Sequence, residues 1–171
     1  MTTSKLGSRS VYWLLLSTVV VALDQLTKLM VIENLTLYQR VQITSFFDLV
    51  RLHNTGAAFS FLADSSGWQN WLFTGIALVV SVGIVYWLVT LPSKERRILA
   101  MGLALVLGGA IGNVIDRSFY GYVVDFILFH YKEWSYPAFN IADSAITCGV
   151  FLILYDGVVL DRRRQRATGS G

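Results

Sequence analysis

Four long apolar stretches constrain this chain more than any other feature of its sequence. They cover residues 11–32, 71–91, 98–115 and 138–159. A helix needs about 20 mostly apolar residues to cross the hydrocarbon core of a membrane. Only 15% of the residues are charged and 54% are hydrophobic, whereas a soluble domain carries about 25% charged residues. The sequence therefore predicts an all-α polytopic membrane protein with four transmembrane helices, and residues 1–171 form one domain.

The third apolar stretch carries small residues at every fourth position. Ala100, Ala104, Gly108 and Gly112 therefore share one face of a helix. Small side chains let two helices approach closely within lipid. We expect this face to pack tightly against another helix.

The basic residues predict how the chain is oriented in the membrane. Nine of the fourteen lie in the N-terminal tail, the 92–97 loop and the C-terminal tail, and the long loops 33–70 and 116–137 hold four. Cytoplasmic loops carry an excess of Lys and Arg, so both termini are expected in the cytoplasm and both long loops outside. The basic C-terminal tail adjoins a predicted span, which favours a membrane-topology role over nucleic-acid binding.

The first long loop combines strand-like and interfacial patterns. Residues 41–44 and 47–52 partly alternate between polar and apolar side chains, as short strands do. Trp68 and Trp71 suit the headgroup layer. We expect a small strand-containing cap on the outer membrane surface.

Polar side chains inside the predicted spans gather at one depth. Ionisable groups inside membrane spans are rare and costly, so each is a candidate functional residue. Asp125 lies in an apolar segment of the second long loop, and we expect this segment to re-enter the membrane interface. The residues that fall in the outer half of the helices are Asp24, Lys28, Asn113, Asp116, Arg117, Asn140 and Asp143.

Four of these charges have a neighbour of opposite sign along the chain. Asp24 and Lys28 are separated by one helical turn, which favours a structural ion pair. Asp116 precedes Arg117, and the same structural pairing is expected there.

Asp125 and Asp143 have no such local cation. Apolar residues flank Asp125 on both sides, and the apolar Ile141 and Ala142 precede Asp143. Two carboxylates that lie close together can share one proton, because both cannot ionise easily. Such a dyad can deprotonate a water molecule with one member while the other protonates a carbonyl oxygen. The residues alone leave open the alternative that each carboxylate has its own hydrogen-bond partners.

Other catalytic chemistries lack their motifs. The only histidines are His53 and His130, without an HExxH pattern, and no GxSxG or phosphate-binding glycine loop occurs. The single cysteine, Cys148, is expected to be a small buried residue of the last span.

The residues are also compatible with two other classes of membrane protein. In a proton-coupled transporter or channel component the acids would form a relay, which predicts polar residues across the full membrane depth. In a membrane assembly subunit the polar groups would only hold helices together, which predicts a nearby cation for most acids.

Five motifs taken together resemble the lipoprotein signal peptidase family, the bacterial type II signal peptidases. The resemblance covers nearly the whole chain, and the order and spacing of the motifs make it specific. The motifs are Asp24 with Lys28, Asn54–Ser60, Gly108–Arg117, Val123–Phe126 and Phe139–Ser144.

The resemblance implies an aspartyl endopeptidase of the bacterial inner membrane, with four helices, cytoplasmic termini, a periplasmic cap and an active site near the periplasmic face. It implies cleavage of prolipoproteins before a cysteine that already bears diacylglycerol, with Asp125 and Asp143 as catalytic residues. It also implies contact with membrane lipid, inhibition by globomycin-type antibiotics, no metal or cofactor, and no nucleic-acid partner. A monomer is expected, because four helices can enclose one site. The residues implied to line or support the site are Asn54, Gly56, Asn113, Arg117, Asn140, Asp24, Lys28 and Asp116.

Overall fold

The computed structural model describes residues 8–56, 68–91, 96–162 and 164, and within them four helices are long and apolar enough to cross a membrane. The predicted fold class, four spanning helices with a strand-containing cap, is confirmed. The third helix runs beyond residue 115 to Tyr120, so Asp116 and Arg117 belong to the helix instead of the following loop. The helices are α1 (Ser8–Asn34), α2 (Trp68–Thr90), α3 (Arg97–Tyr120) and α4 (Ile141–Tyr155), and α4 continues as a π-helical turn, Asp156–Leu160.

Helix α3 lies at the centre and packs against the other three helices. Gly108 faces Val20 of α1, and Gly109 faces the Ala142 backbone of α4. Ser17 of α1 donates to the carbonyl oxygen of Ala104 at 2.8 Å. The small-residue face predicted from the sequence therefore packs against α1, and the adjacent glycine lets α4 approach equally closely.

Substituting Gly109 with alanine should destabilise the helix packing. An added methyl group would overlap the carbonyl group of Ala142, and overpacking of this kind costs about 1–3 kcal/mol. We expect Gly109→Ala to lower the thermal unfolding temperature measured in detergent. Gly83→Ala on α2 is the matched control, because nothing lies within 4 Å of its added methyl group. Equal unfolding temperatures for the two variants would contradict the close α3–α4 contact.

The cap is a four-stranded antiparallel sheet with strand order β1-β2-β3-β4. The strands expected in the first long loop are present. The segment around Asp125 pairs with β2 as an interior strand of the sheet, and its return to the membrane interface stays a prediction. The strands are β1 (Arg40–Gln42), β2 (Phe47–Asn54), β3 (Val123–Tyr131) and β4 (Trp134–Ser135).

The cap packs on the C-terminal end of α1. Val31 of α1 and Leu35, the residue just after α1, form a buried apolar cluster with Val124 and Phe126 of β3. The guanidinium of Arg51 donates to the carbonyl oxygen of Ile32, in the last turn of α1, at 3.1 Å. This bond satisfies a carbonyl group that the helix end would otherwise leave without a partner.

A short backbone bridge joins β3 to the start of α4. Phe139 donates to the carbonyl oxygen of Ile127 at 3.1 Å and accepts from the Ile127 amide at 2.9 Å. The next residue, Asn140, is the N-cap of α4. The bridge thereby brings the first turn of α4 alongside β3.

Candidate active site

Asp125 lies buried in β3 with one amide donor on each carboxylate oxygen. Asn54 of β2 stands opposite Val123, so it is a diagonal neighbour of Asp125 on the same face of the sheet. Its amide nitrogen donates to Asp125 Oδ2 at 3.0 Å. The amide nitrogen of Asn140 donates to Asp125 Oδ1 at 2.7 Å. Sheet register and the α4 N-cap together fix this carboxylate.

Gly56 fixes the orientation of Asn54. Its amide donates to Asn54 Oδ1 at 2.9 Å, which leaves the amide nitrogen of Asn54 directed at Asp125. Gly56 has φ +90°, a conformation that favours glycine, and a β-carbon there would lie 2.7 Å from the Phe73 ring. The rest of this motif, residues 57–60, lies outside the described residues.

Asp143 lies in the first turn of α4, partly exposed, and belongs to a capping box. Its amide donates to Asn140 Oδ1 at 2.9 Å, and its Oδ2 accepts from the Asn140 amide at 3.4 Å. Asn113 of α3 donates to Asp143 Oδ1 at 2.8 Å. A capping box satisfies two helix-end donors reciprocally, so the same bonds that start α4 also position this carboxylate.

Asn140 connects the two aspartates. It is fully buried, donates its side-chain amide to Asp125, and holds the backbone of Asp143 with its side-chain oxygen. Each carboxylate therefore has its own amide partners, and the two are also close enough for their charges to interact. Of the two alternatives that the sequence left open, separate hydrogen-bond partners for each carboxylate are present, and the shared proton stays a prediction.

The environment of Asp125 changes its protonation. Burial, and after it the nearby charge of Asp143, raise the pKa of Asp125 from 3.8 to about 7, and the bonds from Asn54 and Asn140 oppose this rise only partly. A carboxyl group with a pKa in this range is about half protonated at pH 7. Such a group can act as a general acid under physiological conditions.

Lys28 is the centre of a second polar layer beneath the aspartates. Its side chain is only 2% exposed, and Nζ lies 2.7 Å from Asp24 Oδ2 and 2.8 Å from Asp116 Oδ2. The ammonium also donates to Asn113 Oδ1 at 3.2 Å. The ion pair expected between Asp24 and Lys28 is present, and Lys28 further connects α1 to Asn113, the residue that holds Asp143.

The two acids of this layer bind the backbone next to each candidate catalytic residue. Asp24 Oδ1 accepts from the amide of Ala142 at 2.9 Å, one residue before Asp143. Asp116 Oδ2 accepts from the amide of Val124 at 3.1 Å, one residue before Asp125. The Asp24–Lys28–Asp116 cluster thus ties three helices and the cap to the backbone that carries both aspartates.

The predicted Asp116–Arg117 ion pair is wrong. Successive residues on a helix point about 100° apart, and Asp116 pairs with Lys28 instead. The Arg117 guanidinium lies 5.8 Å from the centre of the Phe73 ring. Asp143 and Asp125 both attract it electrostatically. The two aspartates therefore do have a cation nearby, although no ion pair within 4 Å joins it to either one among the described residues.

Sequence analysis missed Gln25 as a member of the site. Its amide nitrogen donates to Asp116 Oδ1 at 2.8 Å and to the Gly112 carbonyl oxygen at 3.2 Å. A polar amide in the middle of an apolar span was the available signal, because such a group needs a partner within the protein.

Cys148 differs from its expected position. It is exposed on α4 instead of buried, and it lines a cavity that reaches Asp143. Within the described part of the chain, no cluster of three or more His, Cys, Asp or Glu side chains could hold a metal ion.

Comparisons with known proteins agree on one family. Residues 16–159 match the family model described as signal peptidase II. The chain is 49% identical over 144 residues to a lipoprotein signal peptidase of Pseudoalteromonas atlantica, covering 84% of this chain and 87% of that protein. It is also 52% identical over 145 residues to a lipoprotein signal peptidase of an Azoarcus species, covering 84% of this chain and 80% of that protein.

A solved structure shares the fold. One bacterial membrane enzyme superposes with a TM-score of 0.77 at 30% identity, covering 86% of this chain and 93% of its own. With four membrane-spanning helices, the protein fits the bacterial inner membrane. The chain belongs to the signal peptidase II family, the membrane proteases that remove signal peptides from prolipoproteins.

Proposed function

We propose that Asp125 and Asp143 form the catalytic dyad of an aspartyl endopeptidase that cuts prolipoproteins immediately before a diacylglyceryl-modified cysteine. The observation that carries this proposal is the arrangement of two carboxylates around one buried asparagine, Asn140, with the pKa of Asp125 raised to about 7. The cut site and the lipid requirement come from the family resemblance.

The arrangement suits general acid–base hydrolysis. Asp143, partly exposed, takes a proton from a water molecule while the water oxygen attacks the scissile carbonyl carbon. Asp125 donates its proton to the carbonyl oxygen, which gives a tetrahedral intermediate. Collapse of the intermediate breaks the C–N bond: the proton held by Asp143 passes to the leaving amine, and one hydroxyl proton of the intermediate returns to Asp125, which restores the starting state of both carboxyl groups. Asn54, Asn113 and Asn140 keep both carboxylates in position through these steps.

We also propose that the site faces the periplasm and that both termini lie in the cytoplasm. The cap packs at the end of α1 opposite the N-terminal tail, which is basic. The substrate is a membrane helix followed by a lipidated cysteine, so its scissile bond lies at the outer leaflet. Asp125 in the cap and Asp143 at the cap end of α4 are at the matching level.

The protein acts as a monomer in this proposal, and globomycin-type antibiotics bind at the same site. The groups that hold Asp125 and Asp143 in the described residues lie on α1, α3, α4 and the cap, so one copy of the chain is sufficient to build the site. Arg117 binds a backbone carbonyl or lipid oxygen of the substrate, because its guanidinium lies near both carboxylates.

The deciding experiment is cleavage of a prolipoprotein with and without diacylglycerol on its cysteine. We expect the purified protein to cut only the lipidated precursor, and mass spectrometry of the products to place the cut before the cysteine. Efficient cleavage of the unmodified precursor would contradict the proposed specificity.

Activity should fall on the alkaline side of neutrality. The dyad needs its single proton, and the pKa of Asp125 is about 7. Below this value Asp125 is protonated and able to donate, and above it kcat/KM should decrease by about tenfold per pH unit. Initial rates in detergent from pH 5.5 to 9 test this, with unfolding temperatures at each pH as the control. A flat profile up to pH 9 would remove Asp125 as the proton donor.

A further inference from the structure

A cavity of about 320 Å³ begins at Asp143 and extends along the outward face of α4. We propose that this cavity binds one acyl chain of the lipid carried by the substrate cysteine, an inference that rests on the function proposed above. The residues that line it are Tyr136, Phe139, Asp143, Ser144, Thr147 and Cys148.

The walls of the cavity suit an uncharged apolar occupant. Apart from Asp143, the lining side chains are aromatic, hydroxyl or thiol groups, none of them charged near neutrality. Thr147 and Cys148 are exposed on a membrane-spanning helix, so the cavity opens toward acyl chains. An acyl chain leaving the bilayer can enter there without crossing water.

The charge of Asp143 identifies where the acyl chain comes from. A phospholipid would bring its anionic phosphate close to this carboxylate, and like charges repel. The diacylglyceryl group on a cysteine is joined by a thioether and two esters and carries no charge. Asp143 is also a member of the proposed dyad, so the scissile cysteine binds next to it. An acyl chain attached to that cysteine therefore starts at the end of the cavity that Asp143 lines.

Filling the cavity should weaken binding of long-chain substrates selectively. Cys148→Trp places an indole ring in the cavity, and each methylene that loses its contact costs about 0.8 kcal/mol. We expect the KM for a precursor with palmitoyl chains to rise by about tenfold, which corresponds to lost contacts for about two methylene groups. We expect the KM for a precursor with butanoyl chains to stay within about twofold and kcat to be unchanged for both.

Leu154→Trp is the matched control, because Leu154 is exposed on the same helix but does not line the cavity. An equal KM change for long and short chains would assign the cavity to the peptide part of the substrate. No change for either would show that the cavity is not used. Both results would overturn the inference while cleavage by the unmodified enzyme still supports the proposed function.

A second measurement needs no substitution. Cys148 is the only cysteine in the sequence, so maleimide labelling reports on this cavity alone. We expect a diacylglyceryl-cysteine peptide, the product of the reaction, to slow labelling by about tenfold at saturation. The same peptide with its cysteine sulfur methylated instead of lipidated, and added phospholipid, should leave the rate unchanged. Protection by phospholipid alone would assign the cavity to bulk lipid, and no protection by any of them would refute occupancy.

Discussion

Asp125→Asn and Asp143→Asn should each lower kcat for a diacylglyceryl prolipoprotein by about 10²–10⁴-fold, the usual contribution of a positioned acid or base. Asparagine preserves the shape of the side chain but cannot give or take the proton that the reaction moves. Asp161→Asn is the matched control. Asp161 lies just after the π-helical turn, beyond the site, and pairs with Arg96 at the N-cap of α3. Its turnover should equal that of the unmodified protein.

The Asp125 variant should also separate catalysis from stability. The raised pKa of Asp125 means that its ionised form is unfavourable in the folded protein. Asp125 therefore contributes fully to the free energy of unfolding below pH 3.8, its pKa in the unfolded chain. This contribution is lost as the pH rises to about 7, its pKa in the folded protein. In Asp125→Asn the new amide group faces one of the amide donors of Asn54 and Asn140, which lowers stability by the same amount at every pH. We therefore expect the unfolding temperature of the variant, relative to the unmodified protein, to rise from pH 4 to pH 8.

Turnover within tenfold of the unmodified rate by either dyad variant would exclude the two-carboxylate mechanism. A stability difference between the Asp125 variant and the unmodified protein that does not change with pH would contradict the raised pKa. The two results are independent, so the electrostatic and the catalytic parts of the proposal can fail separately.

Lys28→Met should unfold or inactivate the protein almost completely. The substitution leaves Asp24 and Asp116 buried, at 0% and 1% exposure, without their cation. Breaking a buried ion pair by removing one partner costs about 3–5 kcal/mol. We expect a large loss of folded protein after detergent extraction, measured by size-exclusion chromatography and thermal unfolding.

A combined variant tests whether the buried charge causes the loss. Asp24→Asn and Asp116→Asn together with Lys28→Met remove all three charges while retaining oxygen acceptors for the Ala142 and Val124 amides. This triple variant should recover most of the folded fraction. Lys132→Met, at an exposed turn of the cap, is the control and should change little. Failure of the triple variant to recover would show that the Lys28 packing contacts matter more than its charge.

The helices could be predicted from sequence because membrane crossing depends on local composition. The cap was predicted only in part. Residues 41–44 and 47–52 alternate in a way that reports a half-exposed strand, whereas β3 begins with four successive buried residues, Val123–Phe126. Such a run shows no alternation between buried and exposed side chains, so it does not identify a strand. Its place as an interior strand depends on pairing with β2, which is distant in sequence.

The site follows the same division between local and distant contacts. Asp24 and Lys28 could be paired because one helical turn separates them. The partner of Asp116 could not be identified from its neighbour Arg117, because Lys28 reaches it from another helix. The amide bonds from Asn54 and Asn140 to Asp125 depend on sheet register and on the Phe139 bridge. The family resemblance named these residues, but only the fold explains their contacts.

The pairing of Asp24 with Lys28 also bears on how the chain enters the membrane during synthesis. Helix α1 is made before α3, so Lys28 has no access to Asp116 when the first span leaves the translocon. A single buried charge of either sign adds about 2.5–3.5 kcal/mol to insertion at the helix centre, and a pair on one turn can neutralise itself within the helix. Helix α1 thus enters the bilayer with Lys28 already paired to Asp24. When α3 packs against α1, Lys28 also pairs with Asp116, and the ion pair becomes part of the buried cluster that holds the site.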